Sequence, residues 1–451
     1  MWKLDRSGKE TLPLYLRLVR LIENGLDRGD LKPGERLPSE RRLAVILGLN
    51  RSTVIRALND LADRGVVLRK TGSGTYVNPE KWGVQSYRVL NWRSPPAPRT
   101  RAADDAFLRE AAALRAGEAQ AGAPALDLSR DDLPGALFPQ RPVPKISWKE
   151  LIRAERGEEG SHLGLSSFRQ AVRSFLRRRM ELDAPLEQIL ITSGTRQAIF
   201  LITQCLLSPG DAVGVELPSY FYSLPVFQAA GLRLCALPMD REGVTPEGLE
   251  ALASRLPLRM VFLNPLFHNP TGACMGEGRK RDILRICSAR HLPIVEDDAS
   301  SLLAFRPGMA AGPMKRQDSG HRVIYLGSLS SYAGRNLRAG WMVAPEPVIR
   351  QLAEVRHMMD AGLSVLPQFL GERYLDLAAD AHIEDLRRIL AERAAALARH
   401  LADLCGDLAH WEEPAGGLYL YARLNSGSEQ DRTEFLRRLF ARGIIPARGS
   451  D

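Results

Sequence analysis

The stretch Gln188-Ile189-Leu190-Ile191-Thr192-Ser193-Gly194-Thr195-Arg196-Gln197 decides the fold of most of this chain. Ile189, Leu190 and Ile191 form a short continuous apolar run, the pattern of a strand buried on both faces. The step Ser193-Gly194-Thr195 then opens a helix, predicted over 195–207. A strand feeding a helix through a tight turn gathers backbone N–H groups at the helix start, where a phosphate is readily held. Ser193, Gly194 and Thr195 are therefore candidate binding residues, with Gln197 in the next turn.

The same alternation repeats outward. Ala212-Val213-Gly214-Val215, Met260-Val261-Phe262-Leu263, Pro293-Ile294-Val295 and Val323-Ile324-Tyr325-Leu326 read as further buried strands. Helical patterns separate most of them, for example over 278–290. Alternation of this kind predicts the α/β class: a mostly parallel sheet with helices on both faces. Further on, a long helix over 383–404 and a strand over 418–424 predict a small α+β part. Residues 125–375 are thus expected to form a large domain and 376–451 a small C-terminal one.

Upstream, residues 81–124 change character. Ser94-Pro95-Pro96-Ala97-Pro98, an alanine-rich patch and Ala121-Gly122-Ala123-Pro124 read as a linker, with a short helix predicted around 104–116. Residues 1–80 are patterned as a domain of their own. Leu14, Leu18, Leu21, Ile22 and Leu26 give a first helix one apolar face. Ser39 caps a second helix through Leu47, and Gly48 ends it. Asn50 starts a third helix to about Arg64, with Val54, Leu58 and Leu61 inward. Two β runs, 66–68 and 75–77, flank the turn Arg69-Lys70-Thr71-Gly72-Ser73-Gly74.

Three helices and a β-hairpin predict a winged helix-turn-helix that binds double-stranded DNA. Arg51, Ser52, Thr53 and Arg56, at the start of the third helix, suit the major groove. Lys70, Thr71, Gly72, Ser73 and Gly74 suit a wing that approaches phosphates.

Composition is consistent with that assignment. The chain has 451 residues and a net charge of +9, a length that predicts two or three domains. Residues 1–80 hold 15 basic and 10 acidic residues, just over half of the excess, and a polyanion partner fits there. No run approaches the ~20 apolar residues of a membrane span, and the start lacks a signal-peptide pattern. The cytoplasm is the expected compartment. Five scattered cysteines form no C-x-x-C pair, so neither a disulfide framework nor a metal site is expected. Only nine of the 62 basic residues are lysines, which leaves few candidates for any lysine chemistry.

The head closely resembles the GntR family of bacterial transcription regulators. The resemblance rests on Pro13-Leu14-Tyr15, Pro33-Gly34, Arg36-Leu37-Pro38-Ser39-Glu40-Arg41, Leu47-Gly48, Arg51, Thr53-Val54 and Gly72-Ser73-Gly74-Thr75-Tyr76-Val77. It implies DNA contacts from Arg41, Arg51, Ser52, Thr53 and the 70–74 wing, with Arg36 on a phosphate.

The rest of the chain resembles the fold-type I aminotransferases, which use pyridoxal phosphate (PLP). Head and body together resemble the MocR-type subfamily, regulators in which an aminotransferase-like domain serves as effector sensor. The resemblance implies a phosphate cup of Ser193, Gly194, Thr195, Ser328 and Ser330 closed by Arg338 in Asn336-Leu337-Arg338-Ala339-Gly340. It implies that Tyr220 stacks on the pyridine ring and that Asn269 meets its hydroxyl. Asp297, with Asp298 as the neighbouring alternative, would then meet the ring nitrogen. A homodimer presenting two heads is implied as well, with an amino acid or PLP-like molecule as effector.

The resemblance breaks at one decisive place. The family's Schiff-base lysine falls on Ser331 in Gly327-Ser328-Leu329-Ser330-Ser331-Tyr332, and no gap is needed to align it. A hydroxyl cannot form an imine. The family tyrosine after the ring aspartate is Ala299, and Glu159-Gly160-Ser161-His162-Leu163-Gly164 lacks another. The stretch ending at Asp451 stops before the family's carboxylate-binding arginine, so the small domain reads as truncated, with 443–446 an unpartnered strand. The expected function is a DNA-binding regulator whose aminotransferase-like domain forms no internal aldimine and lacks catalytic residues. PLP held without an imine and a working aminotransferase stand as alternatives.

Overall fold

The computed structural model describes residues 13–27, 30–31, 34–63, 66–70, 73–78, 106–116, 125–129, 133–140, 146–157, 162–306, 312–360, 362–426 and 428–447. The chain divides into two units, Met1–Asp105 and Ala106–Asp451.

In the first unit, α1 (Leu14–Asp27), α2 (Glu40–Leu47) and α3 (Arg51–Asp63) precede the hairpin β1 (Val67–Lys70) and β2 (Gly74–Val77). Local chemistry sets the ends of α2. The Ser39 hydroxyl accepts the Arg42 N–H at 3.3 Å, and Gly48 leaves the helix at φ 61°, a left-handed conformation that glycine adopts without strain. Leu18, Ile22, Leu43, Val54, Leu58 and Leu61 close a small core, each without exposed surface. β1 runs through Lys70, so Arg69 and Lys70 belong to a strand, not to the turn the sequence suggests. The pairing Lys70↔Gly74 carries the ladder that far. Thr71 and Gly72 lie outside the described residues.

The second unit opens with α4 (Ala106–Arg115), β3 (Leu126–Asp127), α5 (Trp148–Gly157) and α6 (Ser166–Met180). Next come β4 (Ile189–Thr192), α7 (Thr195–Cys205), β5 (Ala212–Leu217), α8 (Pro225–Ala229), β6 (Arg233–Asp240) and β7 (Gly243–Val244). Then follow α9 (Pro246–Arg255), β8 (Leu258–Leu263), α10 (Glu277–Ala289), β9 (Ile294–Asp298), β10 (Val323–Ser328), α11 (Ser330–Ala333) and β11 (Gly340–Val343). The remainder is α12 (Glu346–Asp360), α13 (Val365–Leu377), α14 (Ala379–Cys405), β12 (Ala409–Trp411), β13 (Ala422–Leu424), α15 (Glu429–Ala441) and β14 (Ile444–Ile445).

Eight strands form the central sheet in the order β4-β11-β10-β9-β8-β5-β6-β7. β11 and β7 run antiparallel to their neighbours; the other pairings are parallel. Strand alternation sends Ile189, Ile191, Tyr325 and Trp341 to one face, packed with α6 and α13. Leu190, Val213, Val215 and Phe262 go to the other, packed with α7 and α12. Burial on both faces explains why these strands are continuous apolar runs.

Three expectations change. The helix expected within a linker reaching residue 124 is α4, and it belongs to the second unit. Its Ala111 and Leu114 pack on Phe440 and Ile445, and Phe107 meets Phe440 with ring centroids 5.5 Å apart. The expected unpartnered strand at 443–446 has a partner: β14 pairs parallel with β3, Ile444↔Leu126 and Ile445↔Asp127. The strand expected over 418–424 is confined to 422–424, the three residues that pair with β12. Among the described residues no helix is long and apolar enough to cross a membrane.

Candidate functional site

The first unit carries an exposed cationic surface. Arg41, Arg51, Ser52 and Arg56 are exposed and Thr53 is half-buried. Arg51 Nη2 lies 3.3 Å from Glu40 Oε2, and Arg69 reaches the same carboxylate and the Asn59 side chain. Glu40 thus holds two cations on one side of α3. Arg69 is a residue that sequence reasoning placed in the turn and did not select. Arg56 lies 4.1 Å over the Tyr15 ring, and Lys70 Nζ 5.4 Å from the centre of Tyr76. Ser73 Oγ and Tyr76 Oη are 2.7 Å apart and brace the wing. Arg36 runs beneath it: a Cβ at Gly74, whose φ is +119°, would sit 3.0 Å from Arg36 Nε. The exposed Arg51–Glu40 pair itself contributes little stability. Arg51→Ala is therefore expected to leave folding intact and cost about 1–3 kcal/mol of specific DNA binding if it meets a base edge. A titration at fixed salt checks this, and unchanged affinity counts against the assignment.

In the second unit the predicted binding residues gather at the carboxyl ends of the parallel strands, where open α/β sheets hold ligands. β4 delivers Ser193, Gly194 and Thr195; Tyr220 follows β5; Asn269 follows β8; Asp297 lies on β9 and Ser328 on β10. The register Ser328↔Gly340↔Thr192 puts these three on one face, and Leu326↔Asp297 puts Asp297 there too. A Cβ built at Gly194 would lie 3.6 Å from Arg338 Nη2, so the arginine closes over the start of α7. Ser328 Oγ donates to Ser330 Oγ at 3.0 Å and accepts the Ser330 N–H at 3.1 Å. Gln197 Oε1 accepts the Ser193 N–H at 2.8 Å.

Asp297 is 2 % exposed. One carboxylate oxygen accepts the Tyr220 hydroxyl; the other, Oδ1, is buried with no partner. Burial pushes this carboxyl up to about 7, against the pull of the Tyr220 hydrogen bond. Tyr220 thus directs its hydroxyl at the carboxylate. Asp298 points to the opposite face, where it accepts from Ser301 Oγ at 2.7 Å and Tyr325 Oη at 2.9 Å.

Three residues of this site escaped the sequence reading. Asn264 receives no apolar or motif signal, yet it orders the site. Its side chain donates to the Asp297 C=O at 2.8 Å and accepts the Asn269 N–H at 2.7 Å. Glu216 in turn accepts the Asn264 N–H at 2.8 Å. Tyr419, from the segment before β13, accepts a hydrogen bond from Asn269 Nδ2 at 2.8 Å.

Ser331 is half-buried on α11. The described lysines of this unit are elsewhere. Lys149 is exposed on α5. Lys280 donates to the Gly312 C=O, with the charges of Glu296 and Asp298 nearby. Lys315 Nζ is held by Asp318 at 2.9 Å and the Val323 C=O at 2.8 Å, and its N–H bonds Glu296. Glu296 and Asp298 alternate with Asp297 along β9, so Lys280 and Lys315 lie on the face away from the site.

These residues fit a phosphorylated pyridine in part. The cup and the unpartnered Asp297 oxygen suit its phosphate and ring nitrogen; position 331 offers no amine.

Residues 145–450 match the family described as aminotransferase class I and II, and residues 14–77 match the gntR family of bacterial regulatory proteins. The HTH-type transcriptional regulator YisV of Bacillus subtilis is 32% identical over 97% of this chain and 89% of its own length. YdfD, a regulator of the same type from that organism, is 31% identical over 93% and 86%. Among solved structures, a kynurenine aminotransferase of Pyrococcus horikoshii superposes with a TM-score of 0.63 at 26% identity, over 76% of this chain and 86% of that one. A multiple-substrate aminotransferase of Thermococcus profundus gives 0.64 at 24% identity, over 79% and 88%.

Proposed function

The chain belongs to the aminotransferase class I and II family and joins to that fold the DNA-binding head of the gntR regulators; from that premise we propose that its aminotransferase-like unit is an effector sensor that holds PLP without a covalent bond. The protein is a GntR-type DNA-binding regulator fused to an aminotransferase-like domain. The observation carrying the proposal is the pairing of a buried, unpartnered Asp297 oxygen with a serine at position 331.

Ser193, Gly194, Thr195, Ser328, Ser330 and Arg338 would hold the phosphate, helix N–H groups and guanidinium acting together. Asp297 Oδ1 would accept the ring N–H, and Asn264 keeps Asp297 and Asn269 in register. When bound, PLP supplies an electron sink. Ser331 supplies no nucleophilic amine to engage it, so this chain's residues bind and orient but do not carry transamination. An amino acid or PLP-like molecule is the effector class this suits.

We also assign a homodimer, located with its DNA in the cytoplasm. Trp148 on α5 is 81 % exposed and Met358 on α12 is 77 % exposed, large apolar side chains that a second copy could cover. Two heads would address two half-sites.

The test uses the full-length protein. A promoter fragment should be retarded specifically, and borohydride reduction in the presence of PLP should leave the chain mass unchanged. A stoichiometric pyridoxyl adduct on a lysine of the second unit would overturn the non-covalent reading.

A further inference from the structure

We propose that the ligand site selects for the phosphate and the ring nitrogen alone, and therefore binds the amine and alcohol relatives of PLP as tightly as the aldehyde. The inference rests on the reading of this site as a non-covalent PLP cup and goes further by assigning its selectivity. The regulator would then report the whole pool of 5′-phosphorylated pyridines and would not distinguish the forms that amino transfer interconverts.

The argument starts from what an aldehyde gains. In a site with a lysine, only the aldehyde can form the covalent bond, so it outcompetes its relatives. Here position 331 is a hydroxyl, and Lys280 and Lys315 are committed on the far side of β9. The contacts that remain go to groups all three forms share. Gly194 and Arg338 face the phosphate position, and Asp297 Oδ1 waits for a ring N–H. Ser328 and Ser330, joined at 3.0 Å, belong to the phosphate cup, and position 331 itself offers the Ser331 hydroxyl. A hydroxyl both donates and accepts, so it serves a hydroxymethyl or an aminomethyl group at least as well as a carbonyl, which only accepts. Nothing in this set favours the aldehyde.

Calorimetric titration of the full-length protein with PLP, pyridoxamine 5′-phosphate, pyridoxine 5′-phosphate, pyridoxal and inorganic phosphate tests this. The three phosphate esters should bind with Kd values within about threefold of one another, and pyridoxal about a hundredfold more weakly. Ser331→Lys should restore a preference of at least about tenfold for PLP. The wild-type comparison stands even if that variant fails to fold. A wild-type preference for PLP above about tenfold overturns the selectivity while leaving the cup intact, as does exclusion of PLP alongside tight binding of the amine. Inorganic phosphate binding as tightly as the esters removes the ring contact. Absence of binding by all three esters overturns the reading of the site itself, and the selectivity with it.

Discussion

Gly340→Ala is expected to abolish PLP binding and to lower the stability of the second unit by about 3 kcal/mol, the upper end for overpacking. A Cβ there would sit 2.8 Å from the Gly194 Cα and 2.9 Å from the Gly327 C=O oxygen. Both obstacles are backbone, so no side chain can swing aside. Relief must come from β4, which leads into the turn at Gly194, or from β10, which carries Ser328, and a shift of either distorts the cup. Thermal unfolding and a PLP titration read the two effects separately. The matched control is Gly278→Ala, whose nearest neighbour is the tip of Arg281 at 3.8 Å. It lies on α10 and should be neutral or stabilising by up to about 1 kcal/mol. Wild-type stability and binding in Gly340→Ala would show that the cup is not built on this contact.

Leu58→Ala has the larger consequence for DNA. Leu58 is fully buried in a core made by three short helices and a hairpin. Truncating a buried leucine costs about 2–5 kcal/mol. A unit of this size has about 3–10 kcal/mol in all, at 0.05–0.15 per residue. The head should therefore lose about half of its stability and unfold at a markedly lower temperature, and specific DNA binding should weaken as it does. The unfolding transition of the second unit should be unchanged. Leu14→Ala, at a position 50 % exposed on α1, should stay within about 0.5 kcal/mol and retain binding. Full DNA affinity in Leu58→Ala would mean that the head core is not what positions α3.

Both substitutions act where the sequence was readable to different degrees. Leu58 was legible, because an apolar residue at helical spacing in an amphipathic segment has one place to go. The doubly buried strands were legible for a related reason: β4, β5, β8, β9 and β10 each contain a short apolar run, even though β9 ends in three carboxylates. β6 was not, because toward the sheet margin its residues alternate between partial burial and exposure and carry no continuous run. β11 is hidden by glycine at its start and by the loop motif before it. β3 and β14 have two residues each, and their pairing depends on contacts no local pattern encodes.

The site divides along the same line. Asp297, Asn269 and Arg338 stood out because neighbouring residues form motifs. Asn264 and Tyr419 did not, since each acts on a residue distant in sequence, Asn264 on Asp297 and Tyr419 on Asn269. Arg69 was visible as a charge, but its place depends on how far the hairpin ladder extends. Ser331 was the reverse case: the resemblance aligns the family lysine with this serine, and the structure added where Lys280 and Lys315 are held.

The pairing of β3 with β14 also imposes an order on biosynthesis. Leu126 and Asp127 leave the ribosome about 300 residues before Ile444 and Ile445, which at 5–20 residues per second is about 15–60 s. Throughout that interval the β3 edge and the apolar side of α4 have no native neighbour, while the head, complete by Val77, contains every contact of its own core. A nascent chain can thus present a finished head while the second unit still exposes apolar surface of α4. Slow translation of the 127–444 stretch should favour capture by chaperones, and codon choice there becomes a determinant of yield.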